Sequence, residues 1–425
     1  MALTLFGTFF ILLILNIPIA VSLGLSTMIS LLLNDFPLAM FPSMMYASIG
    51  KFTLLAVPFF ILAGIIMEYA GISKRLIKLA NVSVGHLKGG LALVTVIVSV
   101  FFAAISGSGP ATVAALGTIL IPAMVTAGYD KGMASALVAS SGGIGIIIPP
   151  SIAFVVFGVL AEVSIGKLFI AGIVPGLLVG LALVLASLYM LRKNKNLVKM
   201  EKSSGKEVWE AFKDAFWGLM TPVIILGGIY GGFMTPTEAA GVAVVYGMFV
   251  GLFIYKEIKL DKLGELFVKA SISSATVMFI VANASVFAWL LTTGRIASSL
   301  AAGLLGITTS KIGILLIMNV IFLVAGCFID AISAFYILVP IMLPIVNEIG
   351  MDPVLFGVFM TVNLAIGLAT PPVGINLYVA CNIANIPLKE ISYKVLPFIF
   401  AMVVALMMIT FIPQITLWLP SVMGM

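Results

Sequence analysis

The residues of this chain that could do chemistry are few, and all stand in apolar surroundings. They are Ser106-Gly107-Ser108-Gly109-Pro110, Gly145-Ile146-Ile147-Ile148-Pro149-Pro150-Ser151, Gly326-Cys327-Phe328-Ile329-Asp330, and Gly367-Leu368-Ala369-Thr370-Pro371-Pro372-Val373 with Asn376 just beyond. No nucleophile here has a base: the single histidine, His86, lies in a basic stretch well away from them. The Gly-x-Ser fragment at the first cluster therefore has no partner for hydrolase chemistry. No Walker A pattern occurs, so no ATPase is expected. Two cysteines, Cys327 and Cys381, are too few for a metal cluster and read as small buried hydrophobes. What the clusters share is interrupted backbone. A proline pair inside a helix removes two donors, and in lipid the freed carbonyls survive only when buried in protein or lining a polar cavity.

Interrupted helices carry a defined electrostatics. A half-helix that ends offers unpaired carbonyls, which can replace the water shell of a hard cation. A half-helix that begins offers unpaired N–H groups, which favour an anion. Such ends can hold Na⁺ and a carboxylate with no buried side-chain charge. The first cluster, Ser106 and Ser108, is expected to face Gly145, Ile148 and Pro149 as one sodium site. The second, Gly326 and Cys327, is expected to face Gly367, Thr370 and Val373 as another. An anionic substrate is expected between the tips, against Ser108, Gly109, Ser151, Asp330 and Asn376. Two of these readings stay open. The Ser-Gly-Ser-Gly-Pro run also fits a tight loop or a small-residue helix contact, and Asp330 also fits a helix cap.

The elements that must position these residues are membrane helices. The chain of 425 residues is 62% hydrophobic and 9% charged, outside the range of soluble domains. Apolar runs near 20 residues read as spans. They fall at 3–33 (two short spans divided near Asn16-Ile17-Pro18), 52–69, 168–191, 218–233, 238–255, 270–291 and 395–417. The stretches 91–127 and 313–346 are apolar but interrupted mid-way; each half is too short to cross, so each reads as a re-entrant hairpin. Broken helices are expected at 132–160 and 354–380. An amphipathic interfacial arm falls at 73–88, and a second arm at 294–310. The N-terminal Met1-Ala2-Leu3-Thr4 has no basic region and is not expected to be a cleaved signal.

The chain also repeats. Sliding it by 222 positions (149 to 371) brings Pro122, Pro149, Pro150 and Pro175 onto Pro344, Pro371, Pro372 and Pro397, and Asp130 onto Asp352. The expected organisation is a first repeat over 1–195, a cytoplasmic linker over 196–215 and a second repeat over 216–425. An odd number of crossings per half makes the second half inverted. With both termini outside, all but four of the 22 Lys and Arg residues fall on the inner side, the exceptions being Lys51, Lys167, Arg295 and Lys311. That is the positive-inside pattern. The fold class is thus an all-α membrane protein of two inverted repeats. The basic excess is expected to face a lipid bilayer, not nucleic acid.

Four motifs give these features a family look: Ser106-Gly107-Ser108-Gly109-Pro110-Ala111-Thr112, Ile148-Pro149-Pro150-Ser151, Met234-Thr235-Pro236-Thr237-Glu238-Ala239-Ala240, and Ala369-Thr370-Pro371-Pro372-Val373-Gly374-Ile375-Asn376-Leu377. Through them the whole chain resembles the large membrane subunit of tripartite ATP-independent periplasmic (TRAP) transporters. The resemblance implies an elevator, with a transport domain of hairpins and broken helices sliding on a scaffold of the remaining spans. It implies sodium-coupled uptake of an organic acid anion, of the sialic acid or C4-dicarboxylate class, in a bacterial or archaeal inner membrane. It also implies a soluble periplasmic binding protein and a separate small four-helix membrane subunit as partners. A passive channel or an intramembrane enzyme are the rival classes. Neither a continuous pore nor a catalytic constellation is visible, so a transporter and not an enzyme is expected.

Overall fold

The computed structural model describes residues 1–192, 197 and 201–425. Lys193, Lys195 and Lys199, expected on the inner side, and the repeat boundary at 195–196 lie outside the described residues. Among the described residues there are helices and no strands, and nine helices are long and apolar enough to cross a membrane. Three of these, Gly109–Thr126, Lys311–Phe328 and Ala331–Glu348, are hairpin arms expected from sequence to be too short; each gains length because its helix runs right up to the tip.

In the first half, α1 (Ala2–Ile14) and α2 (Ile19–Leu33) part at Asn16. Next come α3 (Met40–Ile49), α4 (Ala56–Tyr69) and the basic arm α5 (Ile72–Val84). Helices α6 (Gly90–Ser106) and α7 (Gly109–Thr126) form the first hairpin. Helices α8 (Lys131–Gly142) and α9 (Ile152–Ala161) flank the first break, and α10 (Ile165–Leu191) closes the half. The second half runs α11 (Gly205–Tyr230), α12 (Pro236–Phe249), α13 (Leu263–Thr293) and the arm α14 (Ile296–Ile307). Its hairpin is α15 (Lys311–Phe328) and α16 (Ala331–Glu348). Its break lies between α17 (Pro353–Gly367) and α18 (Ile375–Ala384), and α19 (Leu388–Phe411) and α20 (Gln414–Val422) end the chain.

The repeated residues do repeated work. Asp130 caps α8 by accepting from Met133 N at 2.9 Å, and Asp352 caps α17 by accepting from Val354 N at 2.7 Å. Pro122 and Pro344 lie inside the second arms of the two hairpins, and Pro175 and Pro397 inside α10 and α19. Both Pro-Pro bonds are cis. Glu238 closes a capping box with Thr235 at the start of α12, accepting from Thr235 N at 2.8 Å. A second box, Ser204 with Glu207, starts α11 within the stretch expected as linker. Polar composition there marks an exposed helix start, and the box supplies its first bonds. The sequence reading has no helix at 40–49. It also runs the last span through Pro413, where the structure divides α19 from α20.

Packing exchanges pieces between the halves. Helix α9 lies on α16 and α17 of the second half, while α18 lies on α7 and α8 of the first. Phe157 of α9 stitches the first exchange, 5.6 Å from the Phe335 ring and 5.7 Å from Phe356, both edge-on. Away from the hairpins, α13 packs against α2, α3, α4 and α16, and α4 packs on α12.

The basic arm is tied down from the other half. Arg75, only 16% exposed, pairs with Asp214 at 3.0 Å and Glu257 at 3.2 Å. Its guanidinium stacks 3.8 Å over Tyr255. The Tyr255 hydroxyl donates to the Asp214 carbonyl at 2.7 Å, which holds the ring under the guanidinium.

Candidate functional site

The first tip is built from hydroxyls. Helix α6 ends because Gly107 turns left-handed, at φ 59°, and α7 restarts at Ser108 with Pro110 in its first turn. Ser106 Oγ lies 2.7 Å from Thr112 Oγ1, and Thr112 Oγ1 donates to the Ser108 carbonyl at 2.8 Å. Gly145 of the first break presses on this group: a Cβ there would stand 2.7 Å from both Ser108 O and Thr112 Oγ1. Two oxygens of this three-oxygen group thus meet a glycine backbone at the break. The tip is also bonded to the break, because Ile152 N donates to Gly107 O at 3.3 Å.

The second tip is built from backbone. A Cβ on Gly367 would lie 2.5 Å from Gly326 Cα, so the hairpin and the broken helix touch main chain to main chain. Gly374 N donates to the Cys327 carbonyl at 3.0 Å, so here too a residue just after the Pro-Pro pair bonds back to the hairpin tip. Thr370 Oγ1 donates back to Ile366 O at 2.7 Å. Asp330 starts α16 by accepting from Ile332 N at 3.0 Å and Ser333 N at 3.1 Å, with Ser333 Oγ a third donor at 2.5 Å. Its capping role is therefore real, and it also faces the space between the tips.

That space is a cavity of about 200 Å³, lined by Ser108, Gly109, Ile146, Asp330, Leu368 and others of both tips and breaks, with Val277 and Ile280 of α13 closing one side. Among the residues singled out by sequence, Ser108, Gly109 and Asp330 line it. Ser106, Gly145, Ile148 and Pro149 sit in the first break region and are buried; Gly326, Cys327 and Gly367 are buried at the second, with Thr370 and Val373 half-exposed. Ser151 and Asn376 do not line the cavity. Ser151 Oγ donates to Ile146 O at 2.6 Å and accepts from Phe154 N at 3.3 Å, which makes it the cap of α9. Asn376 bridges the halves by donating from Nδ2 to Ala139 O at 3.0 Å, while its Oδ1 is buried with no hydrogen-bond partner.

Sequence reasoning missed Thr112 as a site residue, although it stands four residues after Ser108, one turn along a helix. It also missed Val277 and Ile280, which no local signal distinguishes from other lipid-helix residues. Among the described residues no cluster of His, Cys, Asp and Glu could hold a metal. The donors that converge at the first tip are all neutral oxygens, the set suited to a hard monovalent cation and not to a transition metal.

An all-helical chain with two helical hairpins, two broken helices and a cavity between them fits the architecture of a secondary transporter. Residues 6–415 match the family described as the tripartite ATP-independent periplasmic transporter, DctM component, and the chain belongs to that family. It is 46% identical to an isethionate TRAP transporter permease protein of Oleidesulfovibrio alaskensis, covering 97% of this chain and 65% of that longer one. It is 43% identical to a C4-dicarboxylate TRAP transporter large permease protein of Pseudomonas aeruginosa, covering 95% of each. A sialic acid TRAP transporter large permease protein of Vibrio cholerae is 38% identical over 89% of this chain and 88% of its own. In structure the chain is similar to the Alcanivorax borkumensis YdaH transporter, with a TM-score of 0.63, 16% identity and coverage of 87% and 86%, a likeness of fold alone.

Proposed function

We propose that this chain is the large membrane subunit of a sodium-driven importer of an organic acid anion. The observation that carries this reading is the pair of tips set against the pair of breaks about one 200 Å³ cavity. Each tip and break pools the carbonyl and N–H ends of interrupted helices, which suit a cation and a carboxylate respectively. The first sodium ion binds at Ser106, Ser108 and Thr112 with the break backbone at Gly145–Pro149. The second binds among the carbonyls of Gly326, Cys327 and Gly367 with Thr370. The substrate anion lies between, against Ser108 and Gly109. Inverted repeats, supported by the 222-residue register of caps and prolines (130 to 352), let the hairpins enter from opposite faces. The hairpins and broken helices then move as one body against α13 and its neighbours, with both termini outside. A small membrane subunit and a soluble binding protein complete the system, in keeping with the tripartite family to which the chain belongs. Isethionate, C4-dicarboxylates and sialic acid are the substrate classes to try first.

Reconstitution tests this. The chain, its small subunit and its binding protein are placed in proteoliposomes with labelled succinate, isethionate or sialic acid. Accumulation that stops when external Na⁺ is replaced by K⁺ is the expected result. Accumulation indifferent to that exchange, or leakage down any gradient, overturns the reading.

A further inference from the structure

A second cavity, about 470 Å³, opens between α5, α6 and the N-terminal part of α11, and the transport chemistry above makes no use of it. Its wall is almost wholly apolar: Leu76 and Ala80 from α5, Phe101 from α6, and Val208, Trp209 and Phe212 from α11. Trp209 is 56% exposed and stacks flat on Phe212, with ring centroids 5.5 Å apart. The lip of this groove is basic. Lys206 and Lys213 flank Trp209 at three and four residues, which puts all three on one face of α11. Lys213 Nζ lies 5.4 Å from the Trp209 ring. Both lysines are exposed, and neither makes an ion pair among the described residues.

The neighbouring acids are largely spent. Asp214 is taken by Arg75 at 3.0 Å and Lys78 at 3.5 Å. Glu207 is held in its capping box by Ser204 N at 2.7 Å. Only Glu210 is left over in this part of α11. An apolar slot beside a tryptophan and two free lysines, at the Lys-rich end of the spans, matches the two parts of a lipid: a chain to fill the slot and an anion for the lip. A zwitterionic headgroup would bring its own cation against the same lysines.

We propose that this groove binds one anionic phospholipid, with an acyl chain along Leu76, Ala80 and Trp209 and the phosphate on Lys206 and Lys213. Because Phe101 belongs to the first hairpin and the other walls belong to α5 and α11, the bound chain fills the joint between them. Trp209 itself reports occupancy. The chain is reconstituted in phosphatidylcholine vesicles carrying brominated acyl chains either on phosphatidylglycerol or on phosphatidylcholine at equal mole fraction. Trp209 quenching is taken as the difference between the unsubstituted chain and Trp209→Phe. Phosphatidylglycerol is expected to bind at least about fivefold better, the effect of one surface lysine. Lys206→Gln with Lys213→Gln is expected to bring that ratio to near one while quenching by brominated phosphatidylcholine persists, which shows the groove is still folded. A ratio near one in the unsubstituted chain, or a preference that survives both replacements, overturns the proposal. So does the absence of quenching by either lipid, which would mean that protein fills the groove.

Discussion

The two tips each face a Pro-Pro break and are built from opposite materials. At the first, side chains supply the polar surface: Ser106 Oγ and Thr112 Oγ1 lie 2.7 Å apart over a break that only has to present Gly145. At the second, glycine meets glycine, and beside the Asp330 cap the tip meets the break through main chain alone. The same interrupted-helix geometry is reached once by placing hydroxyls and once by deleting side chains. A hydroxyl can be removed by truncation, whereas a carbonyl can only be displaced. The two sites should therefore fail under different kinds of substitution.

The largest effect is expected at the glycine contact. In Gly367→Leu the new side chain would start 2.5 Å from Gly326 Cα, where only main chain could give way. Na⁺-dependent uptake should fall to background while the protein still inserts and elutes as a single species; retained uptake would break the contrast. Ser106→Pro should act as strongly at the first tip, since it removes a helix N–H and the hydroxyl together.

Thr112→Val sharpens the contrast, because it changes one hydroxyl and almost no volume. Losing one buried hydrogen-bonding group costs about 1–2 kcal/mol. The Na⁺ concentration for half-maximal uptake should rise about tenfold, with maximal rate kept. An equal shift from Thr370→Val, whose hydroxyl only bonds back to Ile366 O, would show that both tips use side chains alike.

Asp330 separates cap from ligand. Asp330→Asn keeps an N-cap and should leave thermal stability and uptake near those of the unsubstituted chain. Asp330→Ala should cost about 1 kcal/mol of stability, read as a lower melting temperature. The smallest effect is expected for Ser151→Ala: about 1 kcal/mol of stability from a lost cap, with uptake unchanged, because Ser151 does not reach the cavity.

Much of this arrangement can be read from residue order alone, and the reason is local. Pro-Pro pairs, Ser-Gly-Ser-Gly-Pro and the Asp130 and Asp352 caps act within a turn of themselves, so the hairpins and breaks are legible. Helix α3 is not, because Met40–Ile49 contains Pro42 and no sustained apolar face; it forms against α13. The start of α11 looks like linker by charge, yet Ser204 and Glu207 are a helix signal that composition hides. Asn376 reads as a ligand because it is polar near a break. Only the structure shows its donor committed to Ala139, a residue more than two hundred positions earlier. Val277 and Ile280 reach the cavity through the packing of α13 on α16, which no short window of residues encodes.

The traded helices bear on how such a chain is made. Gly109 of the first hairpin packs near Asn376, and Phe157 of the first broken helix is held by Phe335 and Phe356. During synthesis the opening half leaves the ribosome long before the helices that complete its own binding groups. It must wait in the bilayer, partly assembled, until the closing half arrives.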